Sequence, residues 1–239
     1  MSTESPGRPG RPSRPSRPGR PSRLVLVVGT GTEVGKTWVS ARLLRGLRQA
    51  SNTVAARKPA QSFDPADDPA GFDSVVLGAA SGEGSGEVCL LHRCYERPMA
   101  PPMSAESLGR PSFTVADLMD EMVWPIPVVD VGLVESAGGV RSPQADDGDA
   151  VTLAHALAPD LVLLVADAGL GTINNVRLCV DVLSPDFATI VVLNRYDDSV
   201  ELHRRNREWL AERDGFTVCT MPNDESRLVE VIGRDTPAL

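Results

Sequence analysis

GTGTEVGKT, at residues 29–37, is the stretch that decides the fold of this 239-residue chain. The five residues before it, 24–28, are all apolar, as expected of a strand buried on both faces of a parallel sheet. After it, apolar residues recur at helical spacing from Val39 to Leu47. In this context backbone N–H groups and a helix N-terminus hold phosphate, so the stretch predicts a P-loop. One departure is that the first glycine of the usual pattern falls on Thr30.

Short apolar segments continue along the chain and alternate with helical patterns. Further strands are predicted at residues 54–56, 131–134, 161–166, 190–193 and 216–219. Helices are predicted near residues 73–80, 115–123, 151–157, 173–183 and 200–213. This alternation predicts an α/β fold with a doubly wound, mostly parallel sheet in a P-loop NTPase-like three-layer sandwich. Ligands are expected at the carboxyl ends of the strands.

Lysine is rare in this chain. Only Lys36 and Lys58 occur, against 22 arginines, and both lie in or near segments suited to holding phosphate. An ammonium group is a compact charge that can rotate three donors onto an anion, which a planar guanidinium cannot do. The two lysines are therefore candidates for handling transferred phosphate.

Residues 1–22 differ in composition from the rest of the chain. Arginine recurs at every third position from Arg8 to Arg23, with proline, glycine or serine between. Such a segment cannot form a core, so a disordered and dispensable tail is expected, and residues 23–239 should form one domain. The net charge of the whole chain is −8 although this segment is basic, which argues against a nucleic-acid binder.

No apolar run approaches the roughly 20 residues needed to cross a bilayer, and no secretory signal is evident. We therefore expect a soluble, cytoplasmic protein without a membrane partner. The four cysteines show no CxxC spacing and are expected to be reduced. Cys89, His92 and Cys94 lack an evident fourth ligand, so they make a poor zinc site.

Several motifs extend the pattern beyond the glycine loop. RKPAQS lies at residues 57–62, PMAP at 98–101, VESAGG at 134–139, GTIN at 171–174 and LN at 193–194. In this order, and together with GTGTEVGKT, they resemble the motifs of dethiobiotin synthetase from about residue 24 to beyond residue 223. Agreement of ordered motifs is more specific than any one of them.

The resemblance implies an ATP-dependent cyclo-ligase. In that family 7,8-diaminopelargonate combines with CO₂ to give a carbamate, ATP phosphorylates it to a carbamic-phosphoric anhydride, and the second amine closes the cyclic urea of dethiobiotin, leaving ADP and phosphate. Such chemistry needs cations to gather a carbamate and a triphosphate that repel each other. The resemblance also implies Mg²⁺ and a homodimer.

Roles carried over from the family fall on matching positions. Lys36 and Lys58 would be catalytic, and Thr37, Asp73 and Glu135 would bind Mg²⁺, with Asp64, Asp67 and Asp68 as alternatives to Asp73. The nucleotide would contact Glu33, Val34, Gly35, Lys36, Thr37, Trp38, Glu135, Ser136, Ala137, Gly138, Asn194, Arg195, Pro222, Asn223 and Asp224. The diamine would contact Thr32, Ser62, Gly138 and Asn174, the last across a dimer interface. For Asn194 and residues 222–224 a cap or turn role is the alternative.

Four positions depart from the family's pattern. They are Ser136 and Phe63, where glycine is usual, Pro102 after the PMAP segment, and Asn175 in place of histidine. If position 136 needs a positive φ or a close backbone approach, serine is unfavourable there. The departures either retune substrate choice or mark a paralogue of weakened activity.

Three alternatives compete with the synthetase. A partitioning ATPase of the same fold would carry a second lysine early in the loop, where this chain has Thr30 and Gly31. A glutamine-dependent amidase would need a large additional domain. A non-catalytic nucleotide-binding paralogue is the third. Preference between ATP and CTP is not encoded in any motif.

Overall fold

The computed structural model describes residues 19–183 and 186–234. The strands are β1 (Arg23–Gly29), β2 (Val54–Arg57), β3 (Gln61–Ser62), β4 (Cys94–Tyr95), β5 (Val131–Glu135), β6 (Pro143–Ala145), β7 (Gly148–Asp149), β8 (Leu161–Asp167), β9 (Thr189–Asn194) and β10 (Val218–Thr220). The helices are α1 (Lys36–Gln49), α2 (Asp73–Ser81), α3 (Ser85–Val88), α4 (Pro101–Ser107), α5 (Val115–Glu121), α6 (Ala150–Leu157), α7 (Thr172–Leu183), α8 (Glu201–Glu208) and α9 (Glu225–Gly233). None of them is long and apolar enough to cross a membrane.

Six strands form one parallel sheet in the order β10-β9-β8-β1-β5-β2. Strand β1 is central and pairs with β5 on one side and β8 on the other. The register aligns Val27 with Glu135 and Gly29 with Val165. The glycine loop and Glu135 therefore lie at the same end of the sheet, where the parallel strands β1 and β5 finish.

The side chains of β1 alternate between two cores because successive residues of a strand face opposite sides. Leu24, Leu26 and Val28 pack in one core, with residues of α5, α6 and α7. Val25 and Val27 pack in the other, with α1, α2 and α9. Helices thus cover both faces of the sheet, which confirms the predicted doubly wound three-layer architecture.

Every predicted strand and helix is present, with shifts at several ends. The last strand begins at Val218, two residues later than predicted, and helix α5 ends at Glu121. The predicted helix over residues 200–213 is α8 followed by a π-helical segment, Trp209–Arg213. Helix α9 was not predicted, because its apolar signal is short and rests on Leu228 and Ile232.

The predicted tail falls largely on residues 1–18, outside the described residues. Of the remainder, Arg20 donates through Nη2 to Ala158 O at 2.8 Å and to Asp160 Oδ2 at 3.2 Å. Pro21 is buried, and Arg23 starts β1. Residues 20–22 therefore contact the folded domain.

Candidate functional site

Hydrogen bonds to strands β8 and β9 hold the glycine loop in place. Thr30 N donates to Val165 O at 2.9 Å, and Asn194 Nδ2 donates to Val34 O at 2.9 Å. Gly35 has φ of +91°, and a Cβ there would lie 2.0 Å from Asn194 Nδ2. Only glycine fits this position, both for its backbone conformation and for its contact with Asn194.

Lys36 begins α1 and points back over the loop. Its Nζ donates to Gly31 O at 3.2 Å, and the side chain is buried. Burial, followed by repulsion from Lys58, lowers the pKa of Lys36 from 10.5 to about 8. The nearby carboxylates of Glu135 and Asp73 favour the charged form of Lys36 but do not outweigh these two effects.

Three segments that are distant in sequence meet beside Thr37. Thr37 Oγ1 lies 2.6 Å from Asp73 Oδ1 and 2.9 Å from Glu135 Oε1. Lys58 Nζ lies 2.7 Å from Asp73 Oδ2 and 2.9 Å from Glu135 Oε1. Asp73 starts α2, and Glu135 ends β5. We call Thr37, Lys58, Asp73 and Glu135 the carboxylate cluster.

The ionisation of the cluster is set by these pairs. Burial alone would lower the pKa of Lys58, but the carboxylates of Asp73 and Glu135 outweigh it and raise that pKa. Burial opposes ionisation of Asp73 too, yet Lys58 and Thr37 hold its pKa below 3.8. The two lysines are therefore shifted in opposite directions: the pKa of Lys58 is raised, whereas the pKa of Lys36 is lowered to about 8.

The aspartates that competed with Asp73 lie elsewhere. Asp64, Asp67 and Asp68 are exposed in the loop before α2. Asp64 accepts from Ala66 N and Asp68 from Ala70 N, which are local turn contacts. Of these four aspartates, the structure brings only Asp73 to Thr37.

Two supporting side chains were missed by the sequence analysis. Ser40 Oγ donates to Glu135 Oε2 at 2.7 Å, from one turn after Thr37 on α1. Gln144 exchanges hydrogen bonds with Ala137, accepting from its N at 2.9 Å and donating to its O at 2.7 Å. The helical spacing of Thr37 and Ser40 was an available signal, but nothing in the sequence pointed to Gln144.

The acidic glycine loop after β5 lies against the phosphate loop. Ser136 N donates to Val27 O at 3.0 Å, and Val140 N donates to Gly29 O at 3.0 Å. Gly138 has φ of +61°, whereas Ser136 has no positive φ. Ser136 Oγ is nevertheless buried without a hydrogen-bond partner among the described residues. The departure from glycine at position 136 therefore leaves a hydroxyl unsatisfied rather than straining the backbone.

The predicted diamine contacts occupy several places. Thr32 is exposed in the glycine loop. Ser62 Oγ donates to Met99 O, which joins the RKPAQS and PMAP segments. Asn174 is exposed on α7 and donates to Asn175 Oδ1 at 3.2 Å. The Ser62 side chain thus joins two segments, whereas the Asn174 side chain contacts only its neighbour in sequence.

The next residue, Phe63, stacks on Phe72 with ring centroids 4.1 Å apart. Phe72 immediately precedes Asp73, so the aromatic pair braces the start of α2. Pro102 is buried in the first turn of α4, a position that tolerates proline.

Of the predicted nucleotide contacts after Asn194, Arg195 supports the glycine loop and the others make contacts of their own. Arg195 Nη2 donates to Glu33 O at 2.8 Å, and its Nη1 lies 2.8 Å from Asp167 Oδ2. Asp224 Oδ2 accepts from Thr220 N at 2.7 Å, a turn contact, and Asn223 Nδ2 donates to Asp198 Oδ2 at 2.7 Å. The Met221–Pro222 peptide is cis. Trp38 is half exposed on α1, under the guanidinium of Arg42.

The carboxylate cluster fits Mg²⁺ by its donor chemistry. Among the described residues no group of three or more His, Cys, Asp and Glu side chains is arranged for a metal. The cluster instead offers one hydroxyl, from Thr37, and two carboxylates, from Asp73 and Glu135. Mg²⁺ prefers such a set, one or two carboxylates completed by water and phosphate oxygens.

Comparison with known proteins gives a family model and close curated relatives. The family model described as an AAA domain matches residues 23–226. An ATP-dependent dethiobiotin synthetase BioD of Haloferax mediterranei is 33% identical over 208 residues, 82% of this chain and 82% of that protein. The protein of the same name in Caulobacter sp. is 34% identical, covering 84% of this chain and 89% of that protein. Its counterpart in Anaeromyxobacter dehalogenans is 32% identical, covering 88% and 96%.

Proposed function

This chain belongs to the family of ATP-dependent dethiobiotin synthetases, which are ligases, and we propose that it closes 7,8-diaminopelargonate and CO₂ into the cyclic urea of dethiobiotin. One observation carries the proposal. Two buried lysines face one hydroxyl and two carboxylates beside a phosphate-binding loop. This set can gather a nucleoside triphosphate and an anionic carbamate in one place.

The phosphate loop would hold the triphosphate. Its backbone N–H groups and the N-terminus of α1 attract anions, and Lys36 can turn from Gly31 O toward the β and γ phosphates. The nearby negative charge would restore the pKa of Lys36 toward its ordinary value. Part of the binding energy at this loop therefore comes from a charge that Glu135 and Asp73 compensate only partly in the free protein.

Mg²⁺ would be held by Thr37, Asp73 and Glu135, where it would neutralise charge on the triphosphate. Ser40 orients Glu135 through the hydrogen bond between Ser40 Oγ and Glu135 Oε2. Lys58 keeps the two carboxylates together in the free protein. Its three ammonium donors can be redirected to the carbamate and to the transferred phosphoryl group. The second amine then displaces phosphate to close the ring.

The exposed face of α7 supports a homodimer in which Asn174 reaches the partner's diamine. Leu178 lies on α7 four residues after Asn174 and is 60% exposed, and Leu170, in the turn before α7, is 92% exposed. Asn174 and Leu178 are four residues apart on one helix and so share a face, and an exposed leucine beside Asn174 suits a protein interface. Sedimentation of the wild type beside a Leu178→Glu variant would test this: a dimer that dissociates supports it, and a monomeric wild type contradicts it.

The decisive experiment incubates the purified protein with Mg-ATP, bicarbonate and 7,8-diaminopelargonate. Phosphate release and the mass of the cyclic urea are followed together, with parallel reactions lacking the diamine or containing CTP. Product formed in step with phosphate supports the synthetase. Nucleotide binding without diamine-dependent turnover would contradict it and favour a non-catalytic paralogue.

A further inference from the structure

Two cysteines outside the phosphate site lie in contact. The Sγ atoms of Cys89 and Cys94 are 3.6 Å apart, and one turn, Leu91–Arg93, separates the residues. A disulfide bond is about 2.05 Å long, so closing it needs the sulfur atoms to approach by about 1.5 Å. The other two cysteines, Cys179 on α7 and Cys219 on β10, lie on distant elements of the chain.

The two thiols differ in chemical character. The hydrogen bond between the two thiols, with further help from the Gln61 amide and the charge of Arg110, lowers the pKa of Cys94 to about 7 despite partial burial. The same contact and burial raise the pKa of Cys89. Burial also raises the pKa of Cys179 to about 11. Cys94 is half-buried, so it is the one accessible thiol with marked thiolate character.

We propose that Cys89 and Cys94 form a redox modification site. A low-molecular-weight disulfide such as oxidised glutathione would oxidise the two thiols to an intrachain disulfide. The Cys94 thiolate attacks one sulfur of oxidised glutathione and forms a mixed disulfide, releasing one glutathione thiolate. Cys89 then loses its proton and attacks Cys94 Sγ, which releases the second glutathione. The protein dithiol loses two electrons and two protons, and one glutathione disulfide becomes two thiols.

The pair is connected to the carboxylate cluster on both sides. Val88 O, next to Cys89, accepts from Lys58 N at 2.8 Å. Gln61 Nε2 contacts Cys94 Sγ at 3.3 Å and donates to Ser74 Oγ at 3.0 Å. Ser74 N in turn donates to Gln61 Oε1 at 2.9 Å, directly after Asp73. Drawing the sulfur atoms together therefore disturbs the supports of Lys58 and Asp73.

The test uses the full-length protein, freed of reductant and incubated with oxidised glutathione. Peptide mass spectrometry is expected to find one intrachain disulfide joining Cys89 and Cys94, with the other two cysteines still open to alkylation. The Cys89→Ser variant should trap glutathione on Cys94, because the resolving thiol is gone. A Cys179→Ser control should close the disulfide as the wild type does. Failure to form this bond, or pairing through Cys179 or Cys219, would overturn the proposal.

A second measurement tests the connection to the cluster and rests on the proposed function. The oxidised protein should lose ATP-dependent turnover by about tenfold or more, since displacements of about 1 Å near reacting groups are costly. A thiol reductant should restore it. Undiminished turnover in fully oxidised protein would refute the connection, whereas absence of turnover in the reduced protein would instead count against the synthetase assignment.

Discussion

The phosphate loop and the carboxylate cluster adjoin each other but are built in opposite ways. The loop is one continuous stretch, residues 29–37, and it offers mainly backbone groups. The cluster joins Thr37, the last residue of that loop, to side chains from three distant segments, at Lys58, Asp73 and Glu135. The phosphate loop is therefore encoded by one local stretch of sequence. The carboxylate cluster depends on the sheet order, which places β2 beside β5.

The two lysines show what this difference means for charge. Lys36 lies in the loop, and burial followed by repulsion from Lys58 lowers its pKa. Lys58 serves the cluster, and two carboxylates raise its pKa. The loop is therefore suited to binding an anion, whereas the cluster sets two carboxylates against one ammonium and is suited to binding a cation.

The largest expected effect is at Lys58. Lys58→Arg keeps the charge but replaces a rotating ammonium with a planar fork, so turnover should fall by about 10²–10³-fold. Steady-state kinetics measures the loss, and a thermal melt checks that the variant folds. Arg141→Lys, the reverse exchange at an exposed ion pair with Asp149, is the matched control and should retain activity. A fully active Lys58→Arg variant would remove the lysine from the mechanism.

The second prediction separates the aspartates. Asp73→Asn should raise the Mg²⁺ concentration for half-maximal turnover by at least about tenfold, because an amide is a weaker Mg²⁺ ligand than a carboxylate. Loss of a residue that only hydrogen-bonds to a metal ligand already lowers metal affinity by about tenfold or more. Asp67→Asn, in the exposed loop before α2, is the control and should leave the Mg²⁺ requirement unchanged. Equal requirements in both variants would take Asp73 out of the metal site.

The third prediction concerns pH. Because the pKa of Lys36 is about 8 in the free protein and phosphate favours its charged form, Mg-ATP binding should take up a proton near pH 8. Affinity should then fall as pH rises above 8, approaching tenfold per pH unit while the bound form stays protonated. Calorimetry in buffers of different ionisation enthalpy measures the uptake. Constant affinity from pH 7 to pH 9 would contradict it.

The smallest effect is expected at Ser136, where the two regions touch. Ser136→Ala removes a buried hydroxyl that has no partner among the described residues, so the free energy of unfolding should rise by about 1–3 kcal/mol. Denaturant unfolding measures the change. Ser142→Ala, whose Oγ accepts from Gly139 N at 2.8 Å, is the contrasting control and should destabilise. A less stable Ser136→Ala variant would mean that the hydroxyl has a partner.

The difference between a locally encoded loop and a cluster assembled by the fold also explains which features could be predicted from the sequence. The loop, β1 and α1 follow from local periodicity and glycine spacing, and all three are present. Ser40 could have been found too, since it shares a helix face with Thr37. The resemblance put Asp73 ahead of Asp64, Asp67 and Asp68, but only the fold shows which of them lies beside Thr37, because residue type and spacing do not distinguish neighbouring acidic residues.

The glutamine side chains that support the site through tertiary contacts could not be predicted from the sequence. Gln144 lies in the short strand β6 and holds Ala137, and Gln61 in β3 reaches Ser74. Neither glutamine belongs to a periodic pattern, and their partners are seven and thirteen residues away in sequence. Helix α9 was missed for a different reason, since only two buried residues mark its apolar face.

The contact between Gln61 and Ser74 has a consequence for variation in chain length. Its two hydrogen bonds, at 3.0 and 2.9 Å, fasten the two ends of the segment at residues 62–73. Beyond this fastening, residues 64–70 are exposed. Doubling the length of a flexible loop costs only about 0.6 kcal/mol of closure entropy. Insertions between residues 64 and 70 should therefore be tolerated, and this turn is a natural place for a reporter or affinity tag.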